Sequence, residues 1–511
     1  MSVWRGVLPS ALLAASAVLS ACGGRVAAVP AAPLALSPRE QLTRDLDSLL
    51  AAPAFANAHW GVLVVHPQSG DTLYARNADK LFVPASNQKL ITGAVALAQL
   101  GPEFRIRSAL VASGPVRNGV LSGDVVLIGR GDPSWSDAVQ GDALLPLREL
   151  ADSVRARGIR QITGRVVVAT GHFAGPKVGF GWDYDDLEFA YGAPVDAVLL
   201  NEGIARIVVQ GAAKAGDMPD VRVLPVSQAA SVAVQLQPTR ASVDSSAPFD
   251  VAWDDDLRAY VVRGSVTVGQ SIAARVAMRD PARATAQALA QALASAGVTV
   301  DGGSQVDASR ARLSGDTLAV LMSPPLADLL RYFEKPSQNQ IGEQLLRVLG
   351  LEKTGVGHAD SGLVVVRRQL AQWQVDSTRA VVRDGSGLSR HNFVSPRAIT
   401  RVLDAMQRQP TFGIFRDALP TAGVDGTLAS RMRNTTAQGN VSAKTGYVDR
   451  VRSLSGYVKT LNGETLLFSA LANNWTTPVR DIERVQDFLA VRLASLRYVR
   501  PGDGARPAPA R

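Results

Sequence analysis

Three short stretches of the chain combine residue types that could do acyl-transfer chemistry. In "FVPASNQKLITGAVALAQLG", residues 82–101, Lys89 follows Ser86 at a spacing of three. Residues i and i+3 share a helix face, so the Lys89 amine can reach the Ser86 hydroxyl. The first turn of a helix carries partial positive charge and disfavours a lysine. Leu90, Ile91, Ala94, Val95 and Leu97 make the segment apolar on nearly every side, which predicts burial. Burial and the helix start both favour the neutral amine, the form a general base needs. The plain alternative is a helix with Ser86 as its N-cap, stopping at Gly101.

The second stretch is Ser337-Gln338-Asn339 in "EKPSQNQIGEQLLRVLG", at the start of another amphipathic pattern. Alone it reads as a helix cap followed by a solvated Asn. Lys-Thr-Gly, the third, occurs twice. The copy at 353–355 ends the helix that begins after Ser337, and Lys in a last turn followed by Gly is ordinary C-terminal capping. Lys444-Thr445-Gly446 instead lies in "NVSAKTGYVDRVRSLSGYV", which alternates like a strand. A glycine inside a strand marks a close backbone approach, often to a ligand. There Lys444 and Thr445 would offer a cation and a hydroxyl.

These residues need elements to hold them. Ser37-Pro38-Arg39-Glu40 predicts a helix start with a capping box and Pro at N1. "WGVLVVHPQSGDTLYAR" predicts a hairpin. From 102 to about 320 the texture changes to short β runs separated by Gly, Pro and Asp turns, closed by a helical pattern near 281–297. The chain is helix-rich again from "SPPLADLLRYF", returns to strands at 443–460 and 464–475, and ends in an amphipathic helix over roughly 478–496. The pattern predicts one α/β domain split by a long, mostly β insertion.

Ser86-x-x-Lys89, Ser337-x-Asn339 and Lys444-Thr445-Gly446, in that order on helix, helix start and strand, match the signature of penicillin-binding proteins and serine β-lactamases. The gap from 86 to 337 is too long for a compact β-lactamase. The chain resembles the low-molecular-mass class C penicillin-binding proteins, the D-alanyl-D-alanine carboxypeptidase/endopeptidase family, from about 38 to 497. "VPASNQKLIT", "GRGDPS" (129–134), "YGAPVDAVLLNEG" (191–203), "DGSGLSRHN" (384–392) and "GVDGTLASRM" (423–432) carry the resemblance. Gln338 stands where Asp or Asn is common, Pro336 precedes Ser337, and Tyr184 stands where a second Trp is frequent.

The resemblance implies an α/β (α+β) transpeptidase-like core formed by 37–101 and 320–498, with 102–319 inserted. It implies Ser86 as nucleophile and Lys89 as its base. Ser337 would relay a proton to the leaving amine, and Asn339 would hold Lys89 and the substrate amide. Lys444 and Thr445 would bind the terminal carboxylate, with the Ser86 and Tyr447 backbone N–H groups as oxyanion donors beside Gly446. The implied substrate is a peptidoglycan stem peptide, with β-lactams as inhibitors and no metal or organic cofactor. None of the five histidines lies in a metal-spacing motif, and His391 reads as structural or peripheral. Asp384, Ser386 and Asp132 read first as turn formers. A β-lactamase or esterase on the same scaffold, and a non-catalytic wall-binding lipoprotein, are the competing readings.

The N-terminus carries Arg5, then the apolar "GVLPSALLAASAVLSA", then Cys22 after Leu19-Ser20-Ala21. This resembles a bacterial lipoprotein signal over 1–21, with lipid on Cys22 and a Pro/Ala tether over 22–36. Cys22 is the one cysteine in the sequence, so neither a disulfide nor a Cys-based metal site is expected. Gly23 leans the expectation toward a periplasmic protein anchored to an outer membrane. The net charge of +9 is spread as scattered Arg. In an exported protein it points to anionic envelope material and away from nucleic acid. Residues 499–511 predict a disordered tail.

Overall fold

The apolar runs predicted as strands at the two ends of the chain lie side by side. The computed structural model describes residues 36–225, 231–243, 247–311 and 315–499. Cys22, the signal and tether up to residue 35, and the tail from residue 500 lie outside the described residues. His59–His66 and Asp71–Arg76 form the predicted hairpin. His59–His66 also pairs with Thr465–Asn473, which pairs with Val451–Lys459, which pairs with Val441–Val448. The result is a five-stranded, fully antiparallel sheet with Val441–Val448 at one edge.

Both faces of this sheet are covered, which explains why His59–His66 and Thr465–Asn473 are apolar almost throughout rather than alternating. One face packs on the Gln88–Leu100, Leu326–Glu334, Asn339–Thr354, Ala359–Gln372 and Pro396–Gln407 helices through Leu90, Ile91, Leu330, Phe333, Leu345 and Leu471. The other face packs on Pro38–Leu50 and Val479–Ala494 through Leu42, Leu46, Phe468, Ile482 and Leu489.

Between residues 106 and 323 the chain builds separate sheets. Arg107–Ala112 pairs antiparallel with Asp316–Met322, so the segment leaves and re-enters the helical part at one place. Ser323 Oγ accepts from the Ile106 N–H at 2.9 Å across that junction. The five-stranded sheet here is mixed, with Val125–Ile128, Val166–Ala169 and Ser304–Asp307 running parallel. It packs on the predicted helix, Pro281–Ser295, and on a second helix, Leu145–Ala156. That second helix is absent from the sequence reading, which followed the β runs. Leu147, Leu150, Ala151 and Val154 sit at helical spacing and are its buried face. Two three-stranded sheets follow, built on Ile204–Gln210 and Ala259–Gly264.

Candidate active site

Ser86 lies in a single 3₁₀ turn, Ala85–Asn87, and the α-helix starts at Gln88. The plain alternative, Ser86 as an N-cap, is not what the fold uses: its hydroxyl makes no capping bond. It meets the Lys89 Nζ instead, at 2.9 Å. A capping hydroxyl would be engaged with the backbone, so the arrangement leaves the oxygen available to react. Two bonds fix the turn to the sheet: Asn87 Nδ2 donates to Lys444 O at 2.7 Å, and Ser453 Oγ to Pro84 O at 2.7 Å. Ala85, just before Ser86, has φ 47°, a left-handed conformation costly for a residue with a Cβ.

Lys89 is fully buried and donates three hydrogen bonds: to Ser86 Oγ, to Asn339 Oδ1 at 2.7 Å and to Ser386 O at 2.7 Å. Burial, and then the charge of Lys444, lower its pKa to about 7; Glu334, Asp384 and Glu343 act in the other direction. Near neutral pH the amine is therefore free in a sizeable fraction of molecules, as the position in the helix suggested.

Asn339 begins the next helix, and Gln338 is its cap, accepting from the Ile341 N–H at 3.0 Å. The departure from the common motif residue is thus a working helix cap. Gln338 Nε2 also reaches Glu202 Oε2 at 2.8 Å. Asn339 Nδ2 donates to Tyr191 O at 2.9 Å, which orients Oδ1 toward Lys89. Gln340 Nε2 donates to the carbonyls of Ala190, Tyr191 and Ala193. Residues 190–203 thus brace the second motif from outside the helical layer.

Ser337 has φ 65°. Its N–H bonds to Glu334 O and the Gln338 N–H to Phe333 O, the paired bonds of a Schellman turn closing the Leu326–Glu334 helix. Ser337 occupies the left-handed position where glycine is usual. A β-carbon there costs about 1 kcal/mol, so the hydroxyl is held at some expense.

Lys444 is fully buried on the edge strand, and burial lowers its pKa. Thr445 Oγ1 lies 2.6 Å from Thr427 Oγ1, in the "GVDGTLASRM" stretch. At Gly446 a β-carbon would fall 2.1 Å from Ser453 Oγ, 2.8 Å from Pro84 O and 2.9 Å from Ser86 N. Only glycine lets the strand approach the Ser86 N–H this closely. Ser86, Ser337, Asn339, Thr445, Gly446 and Tyr447 line one cleft of about 640 Å³. The Lys353 copy ends its helix before Gly355 at φ 79° and is exposed.

"DGSGLSRHN" is a turn, as expected, and it also carries a bond to the site. Asp384 accepts from the Gly387 N–H at 2.8 Å and the Ser389 N–H at 2.7 Å, presenting Ser386 O to Lys89. It also accepts from Trp182 Nε1 at 3.0 Å, a contact with the region between 106 and 323. Asp132 accepts from the Ser134 N–H at 2.9 Å as a turn former, and burial raises its pKa to about 6. His391 packs edge-on against Phe180. For Asp384 and Ser386 the sequence allowed, beside the turn, a supporting role near the cleft; it offered no sign of the roles of Tyr191 O and Thr427, which act through a backbone atom and through contact between separate segments. Among the described residues no group of His, Cys, Asp or Glu is placed to hold a metal.

A family model described as D-Ala-D-Ala carboxypeptidase 3 (S13) matches residues 42–496. A D-alanyl-D-alanine carboxypeptidase of Actinomadura sp. (strain R39) is 33% identical, over 98% of this chain and 91% of that protein. The D-alanyl-D-alanine carboxypeptidase DacB of Haemophilus influenzae is 27% identical, over 78% of this chain and 82% of that protein. The crystal structure of penicillin binding protein 4 (dacB) from Haemophilus influenzae superposes with a TM-score of 0.76 at 25% identity, covering 89% of this chain and 99% of that one.

Proposed function

The chain belongs to the D-Ala-D-Ala carboxypeptidase 3 (S13) family of serine-type peptidases, and from that premise we propose how its own residues divide the reaction. Ser86 Oγ attacks the carbonyl carbon between the two terminal D-alanines of a peptidoglycan stem peptide. Its proton passes to the free amine of Lys89 as the C–O bond forms. The carbonyl oxygen takes the negative charge and is met by the Ser86 and Tyr447 N–H groups. The C–N bond then breaks, and the departing nitrogen receives the proton from Lys89 through the Ser337 hydroxyl. Free D-alanine leaves an ester on Ser86. Water repeats the sequence in reverse: Lys89 takes its proton, the ester is cleaved, and Ser86 regains its hydrogen.

Lys444 and Thr445 receive the terminal carboxylate, the cation supplying most of the attraction in a cleft that screens poorly. Asn339 keeps Lys89 aimed at Ser86. The same acyl group, with a neighbouring stem peptide's side-chain amine as leaving group, gives endopeptidase cleavage of cross-links. β-Lactams, whose strained amide presents the same acyl carbon, acylate Ser86. The observation that carries this reading is the Lys89 amine, buried and bonded at once to Ser86, Asn339 and Ser386 O.

The N-terminal part of the reading is export, removal of 1–21 and lipid on Cys22, with anchoring at an outer membrane. The sole cysteine at the end of "LSAC" supports it, and among the described residues no helix is long and apolar enough to cross a membrane. Intact-mass analysis of the membrane fraction tests it. A mature wild-type chain recovered without lipid and beginning after residue 22 overturns it.

The central test exposes one preparation to penicillin and to a stem peptide ending in D-Ala-D-Ala. A long-lived adduct mapped to Ser86, lost in Ser86→Ala, together with release of D-alanine, is the expected result. Rapid multiple turnover of penicillin with no D-alanine released and no cross-link cleaved reverses the assignment to a β-lactamase.

A further inference from the structure

Glu334 is the last residue of the Leu326–Glu334 helix, and its carbonyl receives the Ser337 N–H. Its side chain turns inward and is fully buried. A β-carbon on Gly93 would stand 2.7 Å from Glu334 Oε1, so the absence of a side chain at Gly93, on the helix that carries Lys89, leaves room for the carboxyl group. Leu330 and Phe333 complete the wall around Gly93. Among the described residues neither oxygen of Glu334 meets a hydrogen-bond donor. A carboxylate in such a place costs several kcal/mol relative to an apolar side chain. Leucine or methionine would suit the surroundings better.

What faces Glu334 accounts for it. Burial raises the Glu334 pKa to about 7, and Lys444, on the edge strand, and Lys89, on the Gln88–Leu100 helix, oppose that rise by favouring the carboxylate. Lys444 in turn faces Glu334 and Arg452, on the Val451–Lys459 strand. Lys89 also faces Lys444, Asp384 in the 384–392 turn and Glu343 on the Asn339–Thr354 helix. Asp384 and Glu343 are engaged by backbone N–H groups of residues 385–389, whereas among the described residues Glu334 has only the two lysines to answer. Two amines buried together without an anion would repel, and both would shed their protons. The reaction requires them to differ, one a free amine beside Ser86, the other an ammonium for the substrate carboxylate.

We propose that Glu334 is the shared counter-charge of Lys89 and Lys444, a positioning residue that keeps Lys444 an ammonium while Lys89 is a free amine. This rests on the reading of Lys89 as base and Lys444 as carboxylate receptor. The carboxylate stabilises the protonated form of each lysine, so removing its charge lowers both pKa values. The acid limb of the rate profile, where Lys89 must lose its proton, moves to lower pH. The alkaline limb, where Lys444 must keep its proton, moves to lower pH as well. A role in packing alone moves neither.

The test is the pH profile of kcat/KM for D-alanine release from a stem peptide, in the full chain and in Glu334→Gln. Glutamine matches the shape and removes the desolvated charge, so the fold is expected to survive. Both limbs should shift downward by about one pH unit, the size a single buried charge commonly imposes. At mildly alkaline pH the loss should fall more on KM than on kcat, since carboxylate binding is what Lys444 supplies. Glu334→Asp should return the limbs toward the parent positions. Should Glu334→Gln not fold, Glu334→Leu, suited to Leu330 and Phe333, is read the same way. Limbs that stay in place in a folded variant overturn the proposal. Penicillin labelling of Ser86 separates the two failures. If Ser86 is not labelled in the parent chain, the site assignment fails; if it is labelled and the limbs do not move, only the role of Glu334 fails.

Discussion

The tripeptide Lys-Thr-Gly occurs at 353–355 and at 444–446, and the two copies share nothing but composition. In the first, Lys353 is exposed at the end of a helix, and Gly355 supplies the left-handed residue that stops it, with nothing within 4 Å of where a β-carbon would be. In the second, Lys444 is fully buried, Thr445 touches Thr427, and Gly446 lets the strand close onto the Ser86 N–H. One copy answers a local need of the backbone. The other is shaped by segments hundreds of residues away in the chain. A three-residue match says little until the element that carries it is known.

Exchanging the residues of the two copies breaks or sharpens this contrast. The largest effect is expected at the cation. Lys444→Ala should slow acylation of Ser86 by stem peptide on the order of 10²-fold or more, as loss of a buried charge partner commonly costs 2–5 kcal/mol. Lys353→Ala should leave acylation unchanged and alter stability by no more than about 0.5 kcal/mol, through a lost helix-end charge. Stopped-flow acylation of both variants measures this. If Lys353→Ala is the more damaging, the third motif has been placed on the wrong copy.

The glycines come next. Gly446→Ala must displace Ser453 Oγ, Pro84 O or the Ser86 N–H, and should depress penicillin acylation at least tenfold while the far-ultraviolet spectrum stays native. Gly355→Ala strains a left-handed position at φ 79° and should cost about 1 kcal/mol of stability with no kinetic change. Equal acylation rates in the two alanine variants would erase the distinction between a close approach and a helix stop.

Burial of a lysine has its own signature in pH. In the folded chain the pKa of Lys89 is lowered from 10.5 to about 7. Between those values the unfolded chain binds more protons, so this group makes stability rise with pH across the window; its penalty is complete below the folded value and absent above the unfolded one. Lys89→Met removes that penalty. Relative to the parent, the variant should be most favoured at and below neutral pH, the advantage declining by about 1.4 kcal/mol per pH unit toward pH 10.5. Lys353→Met, with its side chain exposed, serves as the control. Denaturant melts at several pH values decide it, and a difference that does not vary with pH counts against a strongly desolvated amine at Lys89.

The smallest effect concerns a third left-handed position. Ser337→Gly should stabilise the chain by about 1 kcal/mol, because glycine is at ease at φ 65°, and yet slow release of D-alanine by removing the hydroxyl. A stability gain without a loss of turnover would mean that Ser337 is kept for something other than proton transfer.

By itself the sequence determined what local rules can encode. Spacing of three put Ser86 and Lys89 on one helix face, and the apolar residues around them predicted the burial that frees the amine. Alternation placed Lys444 on a strand of the main sheet, and the end of a helix pattern identified Gly355 as a stop. Local rules left Ser86 two readings, a cap or a partner of Lys89, because serine is a good cap almost anywhere; the position of the Lys89 amine shows which one the fold takes. They passed over the Leu145–Ala156 helix, whose buried face becomes evident beside the sheet it covers. Gln338, a departure when read as a motif letter, is a helix cap that also reaches Glu202. The tertiary structure alone brought Lys89 to Asn339 and to Ser386 O, partners 250 and 297 residues distant in the chain. It alone set Tyr191 O against Asn339 and buried the Glu334 carboxyl group against Gly93, on the helix that carries Lys89. Periodicity records which residues share a face of one element. Which faces meet is decided when the sheet closes between the two ends of the chain, and there backbone carbonyls and a buried carboxylate acquire roles that their residue types do not announce.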